Sequence, residues 1–326
     1  MKCLLIVLVG FLGIQGAAPV LGQHTWHPEK VVELVVPTAP GGINDQVMRT
    51  MQKALQDEKM LSVPTVVMNK PGGNQALAVS YLNQHARDPH FLLYTTPTIF
   101  TNQLAKITSQ LYTDLTPIAL LYVENTVFSV RADSPIKTMR EMVALLKADP
   151  ESIAFGLVSR GGPNHLALSQ AVKGAGIDPR KIKAAVFKTN AESITALIGG
   201  HLQAVASSVS AALPQAQAGN IRILAMAAPQ RMAGPASNVP TLREQGIDVT
   251  GVSNWRAVFA AKGITAAQIA FWEDAVGKTV GTADWKKLLE ENSLASQFLP
   301  SADCAKYLER QYSVTKSVMA DLGLAN

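Results

Sequence analysis

The sequence contains little cysteine. Cys3 and Cys304 are the two cysteines among 326 residues, and removal of an N-terminal leader would leave Cys304 alone. A single cysteine cannot form an intramolecular disulfide, which excludes a small disulfide-stabilised scaffold. A chain of this length can bury enough apolar surface without such bonds, and it is long enough for about two domains.

Charged and aromatic residues are also scarce, at 16% and 6% of the chain. The formal net charge is +5, and the basic residues are dispersed rather than gathered into runs with aromatic neighbours. This pattern argues against a nucleic-acid partner. A mildly positive protein would instead attract a small anionic ligand.

The usual catalytic and metal-binding motifs are missing. Ser159 follows Gly156 at a spacing one residue too long for a Gly-x-Ser-x-Gly nucleophile turn. The six histidines are scattered, and no zinc, Cys-x-x-Cys or phosphate-loop pattern occurs. We therefore predict a protein that is not an enzyme and has no cofactor or metal. A secreted hydrolase that uses Ser159 and His165 remains the alternative.

The first 22 residues have the pattern of a signal peptide. Lys2 is followed by an apolar run over residues 3–14 and by small residues up to Gly22. The run is too short to span a bilayer comfortably, and no later stretch is long and apolar enough to do so. Cleavage lowers the formal charge from +5 to +4 through the loss of Lys2. We expect an exported, periplasmic protein.

One module occurs twice: an apolar strand, a turn with a glycine pair, and the start of a helix. The copies span residues 31–45 and 153–164. Glycine pairs let the backbone approach a ligand closely, and a helix start offers unpaired N–H groups to an anion. Each glycine turn could also be a simple strand–helix connection.

Strands and helices alternate through most of the chain, which predicts an α/β protein with parallel sheets. Apolar strands near 118–131 and 250–259 suggest that the chain passes twice between two lobes. We expect one lobe to contain residues 23–128 plus 253–326 and the other residues 129–252. Two crossings form a hinge, so the lobes could close on a ligand.

Several helix starts can be assigned from N-cap signals. Thr138 with Glu141 forms a capping-box pattern, and Thr265, Thr282 and Ser301 precede later helices. In the first module the N-cap is expected at Asn44 or Asp45.

The second glycine turn has the most specific donors for an anion. Arg160 can pair with a carboxylate through two hydrogen bonds, and Ser159 and the glycine amides add further donors. Arg160 could equally be a solvated loop residue. Hydroxyl residues follow two strands at the edge where α/β sheets bind ligands, namely Thr95, Thr96 and Thr98 after one strand and Ser207, Ser208 and Ser210 after another. Trp255 and Arg256 on the return crossing could line the same cleft, and Trp255 could instead be a buried hinge residue.

A series of short motifs carries a family resemblance over the mature chain. They are Val36-Pro-Thr-Ala-Pro-Gly-Gly-Ile-Asn-Asp45, Asn69-Lys-Pro-Gly-Gly73, Asp114-Leu-Thr-Pro-Ile118, Arg131-Ala-Asp-Ser-Pro135, Ala196-Leu-Ile-Gly-Gly200, Asn238-Val-Pro-Thr241 and Glu244-Gln-Gly246. In this order they resemble the periplasmic solute receptors of tripartite tricarboxylate transporters, the TctC or Bug family.

The resemblance implies a type II periplasmic-binding-protein fold with a two-strand hinge, which closes on a carboxylate and delivers it to a permease of one large and one small membrane subunit. We expect a monomer. The resemblance places the following residues at the ligand: Ala39, Gly41, Gly42, Thr95, Ser159, Arg160, Gly161, Gly162, Pro163 and Ser207.

The chain also departs from the family pattern. Asp88-Pro-His-Phe91 and Phe187-Lys-Thr-Asn190 replace the usual motifs, and Gln203 stands where an acid is common. Gain of Arg160 and loss of an acid favour a di- or tricarboxylate, with citrate as one candidate. The sequence leaves open whether the receptor serves transport or is the ligand-binding subunit of a signalling system.

Overall fold

The computed structural model describes residues 26–247 and 253–325. The predicted signal peptide therefore lies outside the described residues. The strands in these ranges are β1 (Val32–Val36), β2 (Thr65–Asn69), β3 (Phe91–Thr95), β4 (Leu115–Val123), β5 (Thr126–Arg131), β6 (Phe155–Leu157), β7 (Ala184–Val186), β8 (Ala204–Ser208), β9 (Ile221–Ala227), β10 (Trp255–Ala261) and β11 (Ala295–Pro300). The α-helices are α1 (Ile43–Asp57), α2 (Ala76–Asn83), α3 (Thr98–Leu104), α4 (Met139–Ala148), α5 (Pro163–Gly174), α6 (Asn190–Ile198), α7 (Val209–Gln217), α8 (Ala266–Gly281), α9 (Ala283–Glu291) and α10 (Ser301–Asp321).

The strands form two sheets, which confirms the predicted α/β class. The first sheet has the order β11-β4-β10-β3-β1-β2, and the second has the order β7-β6-β8-β5-β9. We call each sheet with its packed helices a lobe. In the first lobe β1 lies parallel to β2 and β3. The nearly continuous apolar sequence of β1 is explained by helices on both faces of the sheet.

Both sheets are mixed rather than parallel throughout, which corrects the sequence-based expectation. β10 runs antiparallel to β3 and β4, and β5 runs antiparallel to β8 and β9. The chain passes from β4 to β5 through Glu124 and Asn125. It enters the second sheet at the carboxyl ends of its neighbours, because Thr126 pairs with Ser208. A strand that arrives at that edge must run in the opposite direction.

Strand pairing places the first crossing at residues 124–125, since β5 belongs to the second sheet from its first residue. The predicted return strand begins at Trp255. Val252, the residue at which the sequence suggested its start, lies outside the described residues.

Each lobe has its own apolar core. In the first lobe, α1 buries an apolar stripe of Val47, Met51 and Leu55 against β1 and β3 residues and against Trp272 and Trp285. Burial of each aliphatic side chain of this size contributes about 1.5–3 kcal/mol. The second lobe has a separate core around Phe128 and Phe155 of its own sheet.

Three of the predicted N-caps are confirmed: the hydroxyls of Thr138, Thr265 and Thr282 accept hydrogen bonds from N–H groups of their helices. Ser301 was assigned wrongly. It lies inside α10, where its hydroxyl donates to the Pro117 carbonyl oxygen at 2.8 Å, and Pro300 is the N-cap.

Helix α1 has Gly42 as its N-cap, so the assignment to Asn44 or Asp45 was also wrong. Both side chains have other partners: Asn44 accepts from a buried tyrosine, and Asp45 accepts from the glycine turn.

The C-terminal helix α10 reaches both lobes. It packs on the first sheet through Cys304 and Leu308. At its far end Val318 and Met319 form an apolar cluster with Leu166 of α5 in the second lobe. Among the described residues, no helix is long and apolar enough to cross a membrane.

Candidate ligand-binding site

The two glycine turns have the same local geometry. The first glycine of each pair, Gly41 or Gly161, has a positive φ of 86° or 74°, a conformation that glycine adopts without steric cost. The second glycine of each pair, Gly42 or Gly162, is an extended N-cap. The sequence module is therefore repeated in backbone conformation as well as in composition.

Each turn is fastened to the helix that follows it. The Gly41 N–H donates to Asp45 Oδ2 at 3.0 Å, and the Gly161 N–H donates to His165 Nδ1 at 2.9 Å. Asp45 and His165 thus occupy equivalent positions, four residues after the glycine. Both hold a glycine turn in place.

The two supporting side chains act in different charge states: Asp45 is ionised and His165 is neutral. A hydrogen bond from Arg49, with further ones from Gly41 and Asn69, lowers the pKa of Asp45 to about 2 against the opposing effect of burial. Burial, assisted by the positive charge of Arg160, lowers the pKa of His165 to about 4. At neutral pH His165 is therefore uncharged, as it must be for Nδ1 to accept the Gly161 N–H.

A cavity of about 290 Å³ lies between the lobes at the carboxyl ends of the central strands. The first lobe contributes Pro37, Thr38, Asn44, Gly72, Asn74, Gln75, Thr96 and Thr98. The return crossing contributes Asn254 and Arg256, and the second lobe contributes Val158, Ser159, Gly162, Pro163, Asn164, Lys188, Asn190 and Ser208. The lining residues that the structure describes are rich in amides and hydroxyls, and they include two basic residues and no Asp or Glu.

In the first lobe a loop with unusual backbone angles carries two of the amides. Asn74 and Gln75 have φ values of 51° and 78°, which are uncommon for residues other than glycine. The Gln75 amide donates to Thr96 Oγ1 at 2.7 Å and accepts from Thr95 Oγ1 at 2.9 Å. Asn74 donates to Asn102 Oδ1 at 2.8 Å. This local strain is of the kind that proteins keep at binding sites.

In the second lobe the amides form a chain that starts at the crossing strand. Thr126 Oγ1 donates to Asn164 Oδ1 at 2.9 Å, and Asn164 Nδ2 donates to Asn190 Oδ1 at 3.1 Å. Asn190 Nδ2 in turn donates to Ser208 Oγ at 2.8 Å. These bonds orient the starts of α5, α6 and α7 around one wall of the cavity.

The crossings are tied together by a buried ion pair. Arg256 on the return crossing pairs with Glu124 on the outgoing one, and the side chains are 7% and 2% exposed. Arg256 also donates to the Asn254 and Trp255 carbonyl oxygens at 3.0 Å. Glu124 accepts from Ser210 of the second lobe. The guanidinium that faces the cavity is therefore already neutralised.

Some of the sequence-predicted site residues line this cavity, and others support it. Ser159, Gly162 and Pro163 line it. Gly41 and Gly161 shape the turns beside it, and Thr95 is buried behind Gln75. Ser207 is buried one residue before Ser208, and within the described part of the chain its hydroxyl has no hydrogen-bond partner.

Besides Gly41, Gly161, Thr95 and Ser207, three more predicted residues lie outside the lining. Ala39 and Gly42 are exposed near the first turn, and Arg160 is exposed beside the second. Arg160 is exposed although Gly161 and Gly162, which follow it, are buried. Its recorded effect is on the pKa of His165.

Sequence reasoning missed the amides and Lys188. Asn74 and Gln75 follow the Pro71-Gly72-Gly73 turn after β2, and Asn190 follows Lys188 after β7. Their position just after strands was a usable signal, since ligands bind at that edge of α/β sheets.

The structure gives the hydrolase alternative no catalytic geometry. His165 uses Nδ1 to accept from Gly161, and no hydrogen bond joins it to Ser159 in the described residues. Within the same residues, no group of three or more His, Cys, Asp or Glu side chains could hold a metal ion.

Known proteins of similar sequence and structure place this geometry in a family. The family model described as tripartite tricarboxylate transporter family receptor, TctC, matches residues 36–324. The UPF0065 protein in the gbd 5′ region of Cupriavidus necator is 29% identical over 310 residues, which covers 95% of this chain and 92% of that protein.

Solved structures share the fold. Rpa4515 of R. palustris, solved with adipate, superposes with a TM-score of 0.80 at 24% identity and covers 91% of this chain and 99% of its own. MatC of Rhodopseudomonas palustris, solved with bound malate, has a TM-score of 0.73 at 22% identity and covers 89% of this chain and 99% of its own. With a family model that spans nearly all of the described residues, the chain belongs to the TctC family of tripartite tricarboxylate transporter receptors.

Proposed function

We propose that this protein is a periplasmic receptor that captures a small carboxylate in the cavity between its lobes. The observation that carries the proposal is that helix starts from both lobes converge on one cavity, and that none of the described residues that line it is acidic. Asn44 of α1, Gly162 and Pro163 at the start of α5, Asn190 of α6 and Ser208 before α7 all line it.

A helix start attracts anions for two physical reasons. Its first N–H groups have no partner within the helix, and the aligned peptide dipoles place about half a positive charge there. Several such ends around one cavity, with Lys188 at its edge, stabilise a carboxylate that accepts their hydrogen bonds. Two proteins that share the fold have been solved with adipate and with malate, which supports a carboxylate ligand.

Binding between lobes implies closure. We propose that the lobe of the first sheet and the lobe of the second sheet move as two bodies about the crossings at Glu124–Asn125 and Ser253–Asn254. Residues from both sides line the cavity, so closure would complete the site and exclude water.

We further propose that residues 1–22 direct export and are removed, and that the loaded receptor delivers its ligand to a permease with one large and one small membrane subunit. This assignment rests on the family and on the leader pattern in the sequence. The permease function of the family favours transport over signalling.

A ligand screen tests the proposal. The mature protein would be heated with mono-, di- and tricarboxylates, citrate included, and with uncharged analogues in which amides replace the carboxylates. We expect a subset of the carboxylates to raise the melting temperature, the matched amides to leave it unchanged, and no ligand to be converted. Stabilisation by the amides alone, or turnover of ester or amide substrates, would contradict a carboxylate receptor.

A further inference from the structure

The charges around the cavity are distributed unequally between the lobes. We propose that the second lobe holds the ligand's carboxylate, at Lys188 and the start of α5, while the first lobe binds an uncharged hydroxylated part of the same molecule. The ligand class is then a small hydroxylated monocarboxylate. This inference rests on the proposed function and refines it.

Two of the four converging helix starts are already compensated. Asp45 lies in the first turn of α1 and Glu192 lies in the first turn of α6, so each places a negative charge beside its own dipole. Helix α7 has no acidic residue in its first turn, but its Val209 N–H donates to the Asn125 carbonyl oxygen at 3.0 Å and its Ser210 hydroxyl donates to Glu124. Helix α5 has no acidic residue in its first turn. Of the four helix starts, the one in the second lobe that begins at Pro163 therefore remains available to a ligand.

Lys188 is the second source of positive charge on this side. Lys188 lines the cavity and is exposed at its edge, and in the described residues no ion pair or hydrogen bond engages its ammonium group. Its backbone N–H donates to Glu192 at 3.0 Å, but Glu192 does not line the cavity.

The other cations near the cavity are not available as counter-ions. Arg256 lines the cavity but is neutralised by Glu124 in a buried pair. Its Nε–H has no hydrogen-bond partner among the described residues, and it suits an uncharged oxygen as well as an anion. Arg160 is exposed and does not line the cavity. This removes the basis for expecting a second or third carboxylate.

The first lobe presents neutral groups that both donate and accept. Thr96 Oγ1 accepts from Gln75 and donates to Thr98 Oγ1 at 3.1 Å. Asn44 accepts from Tyr94 at 2.9 Å, which leaves its NH₂ group to donate. A ligand hydroxyl can accept a hydrogen bond from a donor and donate one to an acceptor, whereas a carboxylate can only accept. A second carboxylate on this side would meet acceptor oxygens without a cation.

The cavity volume of about 290 Å³ lies at the lower end of the range for small-molecule sites. It therefore suits short acids better than long chains.

Matched acids test the inference by titration calorimetry. Lactate, glycerate and tartronate differ at one end, which is a methyl, a hydroxymethyl or a carboxylate group. 3-Hydroxybutyrate, 3,4-dihydroxybutyrate and malate form the same series one carbon longer. If the shorter series binds, we expect glycerate to bind at least about tenfold more tightly than tartronate. If the longer series binds, we expect the same advantage of 3,4-dihydroxybutyrate over malate.

Two variants that each remove one positive charge test where on the protein the ligand's carboxylate binds. Lys188→Gln and Arg160→Gln each remove one positive charge near the site. We expect Lys188→Gln to weaken binding of the preferred acid about tenfold or more and Arg160→Gln to change it less than about twofold, with Lys188→Arg close to the wild type. Circular dichroism would verify that each variant is folded.

The outcomes separate the inference from the proposed function. Tightest binding of the dicarboxylates, or equal losses in the two glutamine variants, would overturn the inference and leave a carboxylate receptor in place. If neither these acids nor any carboxylate in the ligand screen binds, the proposed function and the inference both fail.

Discussion

Glu124 and Arg256 form a buried ion pair between the two strands that cross from one lobe to the other. Each belongs to a different crossing, and Glu124 also accepts a hydrogen bond from Ser210 of the second lobe. The pair therefore fixes the hinge strands to one another while Arg256 faces the ligand cavity. Its removal is expected to affect stability, because one partner without the other is a buried, uncompensated charge.

Glu124→Gln is predicted to lower the free energy of unfolding by about 3–5 kcal/mol, as is usual when one member of a buried pair is lost. Urea unfolding measures the change. Asp274→Asn, which breaks the exposed pair with Lys278, is the control and should cost less than about 1 kcal/mol. Similar small losses in both variants would mean that the hinge pair does not contribute as proposed.

Folding stability should depend on pH through His165. Its pKa is lowered to about 4 in the folded protein by burial and by Arg160, against about 6.5 in an unfolded chain. The unfolded state therefore binds more protons between these values, so stability is complete above pH 6.5 and falls as the pH is lowered toward 4. The difference of about 2.5 pKa units corresponds to about 3 kcal/mol.

The contribution of His165 can be isolated with His165→Gln, whose amide oxygen can still accept from Gly161. Urea unfolding at several pH values should show a weaker dependence between pH 4 and 6.5 in the variant than in the wild type. Equal pH profiles would show that His165 is not protonated on unfolding in this range.

The two N-cap glycines make a matched pair. A Cβ at Gly162 would lie 2.0 Å from Ser159 Oγ, whereas a Cβ at Gly42 would have nothing within 4 Å. Since Ser159 and Gly162 both line the cavity, Gly162→Ala should displace Ser159 and weaken carboxylate binding by about 1 kcal/mol or more. Gly42→Ala should bind as the wild type does. Calorimetric titration of the carboxylate into both variants measures the two affinities. A larger loss of affinity in Gly42→Ala than in Gly162→Ala would place the ligand at the first glycine turn instead.

Much of the fold follows from local patterns in the sequence. The apolar run of β1, the stripe on α1 and the threonine N-caps each depend on neighbours close in the chain, and the structure contains all of them. The antiparallel direction of β5 and β10 depends on where the chain enters the opposite sheet. Strand β11 was not predicted either, because it depends on pairing with β4, which is distant in the sequence.

The site was only partly predictable for the same reason. The glycine turns could be recognised because backbone conformation is encoded locally, and Gly41 and Gly161 have the positive φ values that such turns need. The direction of a side chain is not encoded in this way. Arg160 lies outside the cavity while Lys188 lines it, although both are basic residues in loops after strands. The amide chain through Asn164 and Asn190 exists only once three helices have come together.

The central claim is that a small carboxylate binds between the lobes, and one titration addresses it directly. The best carboxylate from the ligand screen would be titrated into the wild type, Ser159→Trp and Arg160→Trp. These adjacent positions differ in one respect that matters here: Ser159 lines the cavity and Arg160 does not. We predict saturable one-to-one binding in the wild type and in Arg160→Trp, and its loss in a folded Ser159→Trp protein whose cavity the indole fills. Wild-type affinity in Ser159→Trp, or no carboxylate binding in any of the three, would contradict the claim.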